Sequence, residues 1–271
     1  MPRGLNRTNL NTTGTSYRNG TPIDLTTHNF GNVVDWNPSP SHFGNESPFD
    51  QGNQVDWSPS PEHFGNLITV DAIEFVISTA ATNNGSFAGQ QTTSPVDTTG
   101  ANFIVISTFS SVDATISDSL GNTWVTISAG EFGLYYCVTP VVGANHTFTV
   151  TQPGSDCSIA VAAFSGVKSV SPLESNTSTT TVSSPTTTVQ AATVTPHTGD
   201  IIISAFGTFA SHKPVSIDSD FTLLDTTGFG SLSATVLAYL VTPSGANVQP
   251  TWTVTSNGSI IQSMSALFAH A

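Results

Sequence analysis

The sequence predicts an all-β protein: an antiparallel β-sandwich or jelly-roll-like body with an internal duplication, preceded by an extended, non-regular N-terminal arm. Three observations carry that expectation. From Leu67 onward, β-branched and aromatic residues come in short runs broken by Gly, Pro, Asn and Asp, the pattern of many short strands joined by turns. A set of short blocks occurs twice, in the same order, within this region. Before Leu67 the apolar residues come singly, with no period of 2 or 3.6, so no long helix or strand is expected there.

The arm, residues 1–66, is rich in Asn, Gly, Pro, Ser and Thr and cannot build a core alone. It does contain a repeat. The segment Val34-Asp35-Trp36-Asn37-Pro38-Ser39-Pro40-Ser41-His42-Phe43-Gly44-Asn45 recurs 21 residues later as Val55-Asp56-Trp57-Ser58-Pro59-Ser60-Pro61-Glu62-His63-Phe64-Gly65-Asn66. Only its fourth and eighth positions vary. Trp36, Phe43, Trp57 and Phe64 carry large apolar area. Pro38, Pro40, Pro59 and Pro61 hold the backbone extended and lower the entropy cost of docking. Asp35 and Asp56 suit Asx turns, and His42 and His63 sit beside the Phe rings in the sequence. Each copy reads as a short peptide that lays a Trp and a Phe into a surface. Two copies point to two equivalent surfaces, or to one surface met twice around a symmetry axis. The alternative is that both copies fold back over their own domain.

In the body, twelve candidate strands follow: Ile68–Ser78, Phe103–Phe109, Thr123–Ser128, Gly133–Thr139, His146–Thr151, Ser158–Ser165, Thr188–Thr195, Asp200–Phe206, Thr222–Asp225, Ala234–Val241, Gln249–Thr255 and Ile260–Phe268. The duplication runs through them. Ile104-Val105-Ile106-Ser107 matches Ile201-Ile202-Ile203-Ser204. The block from Leu134 to Pro140 matches Leu237 to Pro243. Gly143-Ala144-Asn145 matches Gly245-Ala246-Asn247, and Thr147-Phe148-Thr149-Val150-Thr151 matches Thr251-Trp252-Thr253-Val254-Thr255. The halves are placed at about residues 67–170 and 182–271. They are either two small sandwiches in tandem or one pseudo-symmetric sandwich, and the greater apolar burial favours one. The Thr/Ser-rich link from Glu174 to Pro185 is a crossing strand or a loop.

Composition narrows the function. Five Lys and Arg stand against 18 Asp and Glu, a formal charge of −13. A nucleic-acid backbone would be repelled. Charged residues are 8% of the chain, far below the roughly 25% usual for soluble domains. Ser and Thr take their place. No stretch reaches the roughly 18 apolar residues of a membrane span, and the N-terminus lacks the apolar core of a secretory signal. Cytosolic synthesis is therefore expected. Cys137 and Cys157 lie in strand-like runs and read as buried thiols, with a disulfide as the alternative.

No catalytic residue is assigned. There is no G-x-S-x-G, H-E-x-x-H or P-loop, so the chain reads as non-enzymatic. Asp118-Ser119-Leu120-Gly121-Asn122 and Asp218-Ser219-Asp220 read as turns rather than calcium loops. His28, His146, His197, His212 and His270 are scattered with no metal-ligand spacing, so no metal and no cofactor is expected. Trp124 and Trp252 read as core residues. The loops Phe229–Ser231 and Phe132–Gly133 are the remaining places for a glycan contact.

The layout, an arm with docking motifs followed by a β-sandwich, resembles tailed-phage virion accessory proteins of the capsid-decoration or head-fibre type. The body is also similar to duplicated β-sandwich modules of bacterial surface proteins, through Asp118-Ser119-Leu120-Gly121-Asn122-Thr123-Trp124 and the run from His146 to Thr151. The first resemblance implies a virion structural protein, made in the host cytoplasm. It would decorate or cement a capsid or tail through the arm, bind a major capsid or other virion protein, and form homo-oligomers. The second implies an adhesive or carbohydrate-binding module with a host-surface glycan as partner.

Overall fold

The computed structural model describes residues 15–18, 21–24, 72–82, 89–153, 156–182, 186–209, 214–218, 220–225, 233–242, 245–254 and 260–271. The chain divides into two compact units, residues 1–69 and 70–271. In the first, β1 (Thr15–Arg18) and β2 (Thr21–Asp24) pair antiparallel, with Arg18 opposite Thr21. The residues between them are Asn19-Gly20, the sequence signal for a two-residue hairpin. The repeated motif lies outside the described residues.

The second unit is all-β, and no helix occurs among its described residues. Its first half runs β3 (Glu74–Thr82), β4 (Gln90–Thr92), β5 (Phe103–Ser110), β6 (Thr115–Asp118), β7 (Val125–Ser128), β8 (Phe132–Val138), β9 (Phe148–Thr151) and β10 (Cys157–Ser165). The second half runs β11 (Leu173–Asn176), β12 (Thr180–Val182), β13 (Thr188–Gln190), β14 (Ile201–Phe209), β15 (Pro214–Ile217), β16 (Thr222–Leu223), β17 (Ser233–Val241), β18 (Thr251–Val254) and β19 (Ile261–Phe268).

Each half builds two sheets of its own. In the first, the large sheet has the order β3-β10-β5-β8-β7 and the small one β4-β9-β6. In the second, the large sheet is β11-β19-β14-β17-β16, with β12 also on β19, and the small one is β13-β18-β15. Numbered from one to eight within a half, with β11 and β12 counted together as the first strand of the second, both orders read 1-8-3-6-5 and 2-7-4. That is the connectivity of a jelly roll, with the fifth strand transferred to the large sheet. The two halves therefore do not intermix their strands. The single intertwined sandwich favoured by apolar burial gives way to two jelly rolls in tandem, and the Glu174–Pro185 link contributes β11 and β12 to the second.

The apolar area is buried in a different way. The two large sheets pack against one another through their outer faces. Strand β5 is buried at all eight positions. Alternate residues of a strand point to opposite faces. Ile104 and Ile106 thus join Phe148, Val150 and Ile159 in the core of the first half. Phe103, Val105 and Phe109 meet Ile201, Ile203, Leu237, Met264 and Phe268 in a shared core. The second half keeps its own core around Ile202, Phe206, Val236 and Trp252. Four layers stack in the order small, large, large, small, with three cores between them.

The shared core is not symmetric at its edge. The pairing of β5 with β8 and of β14 with β17 sets Phe103 against Ile201, one residue off the sequence match of Ile104 with Ile201, and so sets Phe109 against Gly207. A Cβ added at Gly207 would collide with the Phe109 ring and come within 2.9 Å of Phe132. The aromatic ring of one half thus occupies the space its counterpart leaves empty. Phe109 also meets Phe209 edge-on, centroids 4.6 Å apart. Deeper in, Ser107 and Thr235 share a buried hydrogen bond of 2.7 Å across the halves.

Cys137 and Cys157 are both buried and reduced. Burial, reinforced by Asp156, pushes the Cys157 thiol up to about 11, so it behaves as core. Trp252 is fully buried, and its Nε1–H donates to Ser204 Oγ at 2.9 Å.

Gly207→Ala should cost about 1–3 kcal/mol, the range for overpacking a tight core. Gly143→Ala, with no atom within 4 Å of its added Cβ, should leave stability within roughly 0.5 kcal/mol. Urea midpoints of the two variants check this.

Candidate functional site

Two clusters of polar side chains stand out in the body, one in each half. The first is centred on Asp118, at the end of β6. Its carboxylate accepts the backbone N–H of Leu120 (2.9 Å) and of Asn122 (3.1 Å), and the indole Nε1–H of Trp124 (3.1 Å). The turn reading of this segment is correct, with Gly121 at φ +78°. The fourth partner is His146, whose Nε2 lies 3.0 Å from Asp118 Oδ1 with both side chains fully buried. His146 Nδ1 in turn lies 3.0 Å from Thr98 Oγ1.

Hydroxyl, imidazole and carboxylate in a line suggest nucleophilic chemistry. Burial argues otherwise. Thr98 and His146 have no exposed surface, and Thr98 Oγ1 also accepts the backbone N–H of Gly143 at 3.1 Å. The His146 ring lies against Phe148, centroids 4.1 Å apart and the planes tilted by 33°. The array ties the end of β6 to the turn before β9. It is a polar strut, with each of its groups paired as burial demands.

The second cluster surrounds Asp200, immediately before β14. Its side chain is 1% exposed. Oδ2 accepts the backbone N–H of His197 at 2.7 Å. Oδ1 accepts the backbone N–H of His270 at 3.3 Å and faces His270 Nδ1 at 3.1 Å. His197 Nδ1 lies 3.3 Å from Asp200 Oδ2 and 3.3 Å from Glu174 Oε2. Glu174 comes from β11, and His270 follows β19. Gly199 takes φ +94°, and a Cβ there would come within 3.3 Å of the His270 ring. A glycine at that position lets the ring lie over the turn.

Burial alone would push the Asp200 carboxyl up. The hydrogen bonds from the His270 ring and from the His197 and His270 amides, together with the charge of His270, hold it below its ordinary value. Glu174, His197 and Asp200 each offer one ligand-type atom, and the three atoms lie within 4.8 Å of one another. This is where the structure departs most from the sequence reading, which sets His197 and His270 aside as scattered. They are 73 positions apart, and only the fold joins them.

The remaining candidates fall as follows. Asp35, Trp36, Pro38, Pro40, His42 and Phe43, with Asp56, Trp57, Pro59, Pro61, His63 and Phe64, lie outside the described residues. So does the Phe229–Ser231 loop. Phe132–Gly133 is no glycan loop: Phe132 is 3% exposed, at the start of β8 in the shared core. A depression of 250 Å³ lined by Ser128, Glu131, Thr179, Thr181 and Gln262 among others is smaller than the roughly 300–1,000 Å³ of a typical small-molecule site.

The outer faces of the small sheets are uncharged along their strands. Gln90, Thr92, Thr115, Ser117, Thr149 and Thr151 line one, and Thr188, Gln190, Ser216, Thr251 and Thr253 line the other. Cross-strand bonds order the side chains, among them Thr92 to Thr149 at 2.9 Å and Gln190 Nε2–H to Thr251 Oγ1 at 3.0 Å. No family model, curated protein or solved structure matches the chain.

The Asp200 carboxyl is held low in the fold, so its charged form favours the folded state. That contribution is present above its ordinary value of 3.8 and is lost as pH falls through the lower folded value. The stability advantage of the parent over Asp200→Asn should therefore shrink as pH drops from 6 toward 3. Denaturant midpoints of both proteins across that range test it.

Proposed function

We propose that this chain is a non-enzymatic structural protein of a virion, which decorates or cements a capsid or tail through its N-terminal arm and presents the double jelly roll as a rigid body. The observation that carries the reading is a pairing of features. The arm repeats a Trp–Pro–Phe peptide twice, and the body consists of two jelly rolls of the same connectivity. The eight-stranded jelly roll is widely used in viral capsid and lectin domains.

The surfaces support the same reading. The body buries its large apolar strands within itself and turns ordered, uncharged Thr, Ser and Gln rows outward. A chain of charge −13 packs beside copies of itself with least repulsion where its contact faces carry no charge. In the arm, Trp36, Phe43, Trp57 and Phe64 act as anchors, with the prolines holding each peptide extended. Removing a buried aromatic anchor from such an interface commonly costs 2 kcal/mol or more. With two such peptides tethered on one arm, the losses compound. The uncharged sheet faces equally suit a carbohydrate, which makes the adhesive module the second reading.

Sedimentation and negative-stain imaging of the full chain should show defined oligomers or lattices. A chain carrying both Trp36→Ala and Trp57→Ala should be monomeric, with self-association weakened more than tenfold. If both proteins are the same monomer, and residues 70–271 alone bind a glycan saturably, the structural role is wrong and the adhesive one stands.

A further inference from the structure

We infer that Glu174, His197 and Asp200 form a binding site for one divalent transition-metal ion of the zinc class, in which His270 orients the Asp200 carboxylate. Three observations converge on it. The first is spacing. Zinc bound at about 2.0–2.1 Å in tetrahedral geometry sets its ligand atoms about 3.3 Å apart. His197 Nδ1 lies 3.3 Å from both Glu174 Oε2 and Asp200 Oδ2. The contact with Glu174 is a long hydrogen bond as it stands. Both separations also match the edge of a coordination tetrahedron.

The second observation is the comparison of the two halves. Asn102 occupies the place in the first half that Asp200 holds in the second, each immediately before the third strand. Asn102 clamps the chain beyond β10 with a neutral amide: its Nδ2–H donates to the Val167 carbonyl (2.7 Å), and its Oδ1 accepts the Val167 N–H (3.2 Å). The clamp therefore needs no charge. Asp200 performs the equivalent task on His270 with a buried carboxylate, a group that is costly to bury and that the His270 ring and the two amides hold charged. The second half adds to it an imidazole and a second carboxylate that have no counterpart around Asn102.

The third is support. Ligating carboxylates in metal sites are themselves hydrogen-bonded, which fixes their orientation. Asp200 Oδ1 is held by the His270 ring and amide and Oδ2 by the His197 amide, and Oδ2 also faces His197 Nδ1. His197 is 77% exposed and Glu174 30%, so the fourth position opens to solvent. An imidazole and two carboxylates would neutralise a doubly charged cation. The ion would join β11, the turn before β14 and, through Asp200, the segment after β19.

The test is a calorimetric titration of the full chain with zinc chloride, with calcium and magnesium run in parallel. One zinc ion per chain should bind at this site, calcium and magnesium should not displace it, and cobalt(II) should give the intense visible bands of a tetrahedral centre. His197→Ala, whose side chain is exposed, and the isosteric Glu174→Gln should each weaken binding by about 10–100-fold. A His42→Ala/His63→Ala double variant should bind as the parent does. The inference is overturned if zinc does not bind, if binding survives both His197→Ala and Glu174→Gln, or if the arm variant abolishes it.

Discussion

Strand β5 has no residue facing solvent, and its counterpart β14 is buried at eight of its nine positions. A strand in an ordinary sandwich turns one face to a core and one to water. Here both faces meet a core, because the large sheets of the two jelly rolls lie against each other. Everything else in the body is arranged around that contact. Large apolar residues stand on both sides of β5, β10, β14 and β19. Hydroxyl pairs such as Ser107–Thr235 fill positions where polar groups need a partner. Gly207 leaves room for Phe109. The small sheets are left to form the outside, so they carry the Thr, Ser and Gln rows.

Duplication with such an interface has a consequence for the polar clusters. The two halves share strands and connectivity but not the ends of their strands, where the side chains are free to diverge. In the first half the divergence produced the buried Thr98–His146–Asp118 strut, with Val248 standing at the bridge position matched to His146. In the second half it produced Asp200 in place of Asn102, with His197, His270 and Glu174 gathered round it. One cluster is sealed and structural. The other opens to solvent and offers lone pairs. The arm that would dock on a virion and the turn that would hold an ion are far apart in the chain, residues 34–66 and 174–200.

Much of the fold was legible in the sequence. Runs such as Phe-Ile-Val-Ile-Ser-Thr-Phe mark central strands because only residues that fill a core from both sides are found there. Three strands escaped, Gln90–Thr92, Thr115–Asp118 and Pro214–Ile217, and the Glu174–Pro185 link, read as a crossing strand or a loop, holds two more, Leu173–Asn176 and Thr180–Val182. They are short, and most of them are polar, so they differ little from the loops beside them. The first body strand runs past the expected end at Ser78 to Thr82 because its pairing with β10 carries it through Ala80 and Ala81, residues with weak strand preference. The β1–β2 hairpin was signalled by Asn19-Gly20 and overlooked within a loop-like composition. Of the Asp200 cluster the matched blocks gave no warning, because they match Ile104 with Ile201, and only the strand pairing sets Asn102 against Asp200. Glu174, His197 and His270 are brought together by the order of strands, which no local spacing records.

The central claim is that the two jelly rolls share a core and so cannot unfold independently. Scanning calorimetry of the full chain measures this directly. The account predicts one transition for the body, with the calorimetric enthalpy equal to the van't Hoff enthalpy. Two separable transitions, or a calorimetric enthalpy about twice the van't Hoff value, would mean that the halves melt as separate domains and that the contact through β5 and β14 is not the one on which the structure depends.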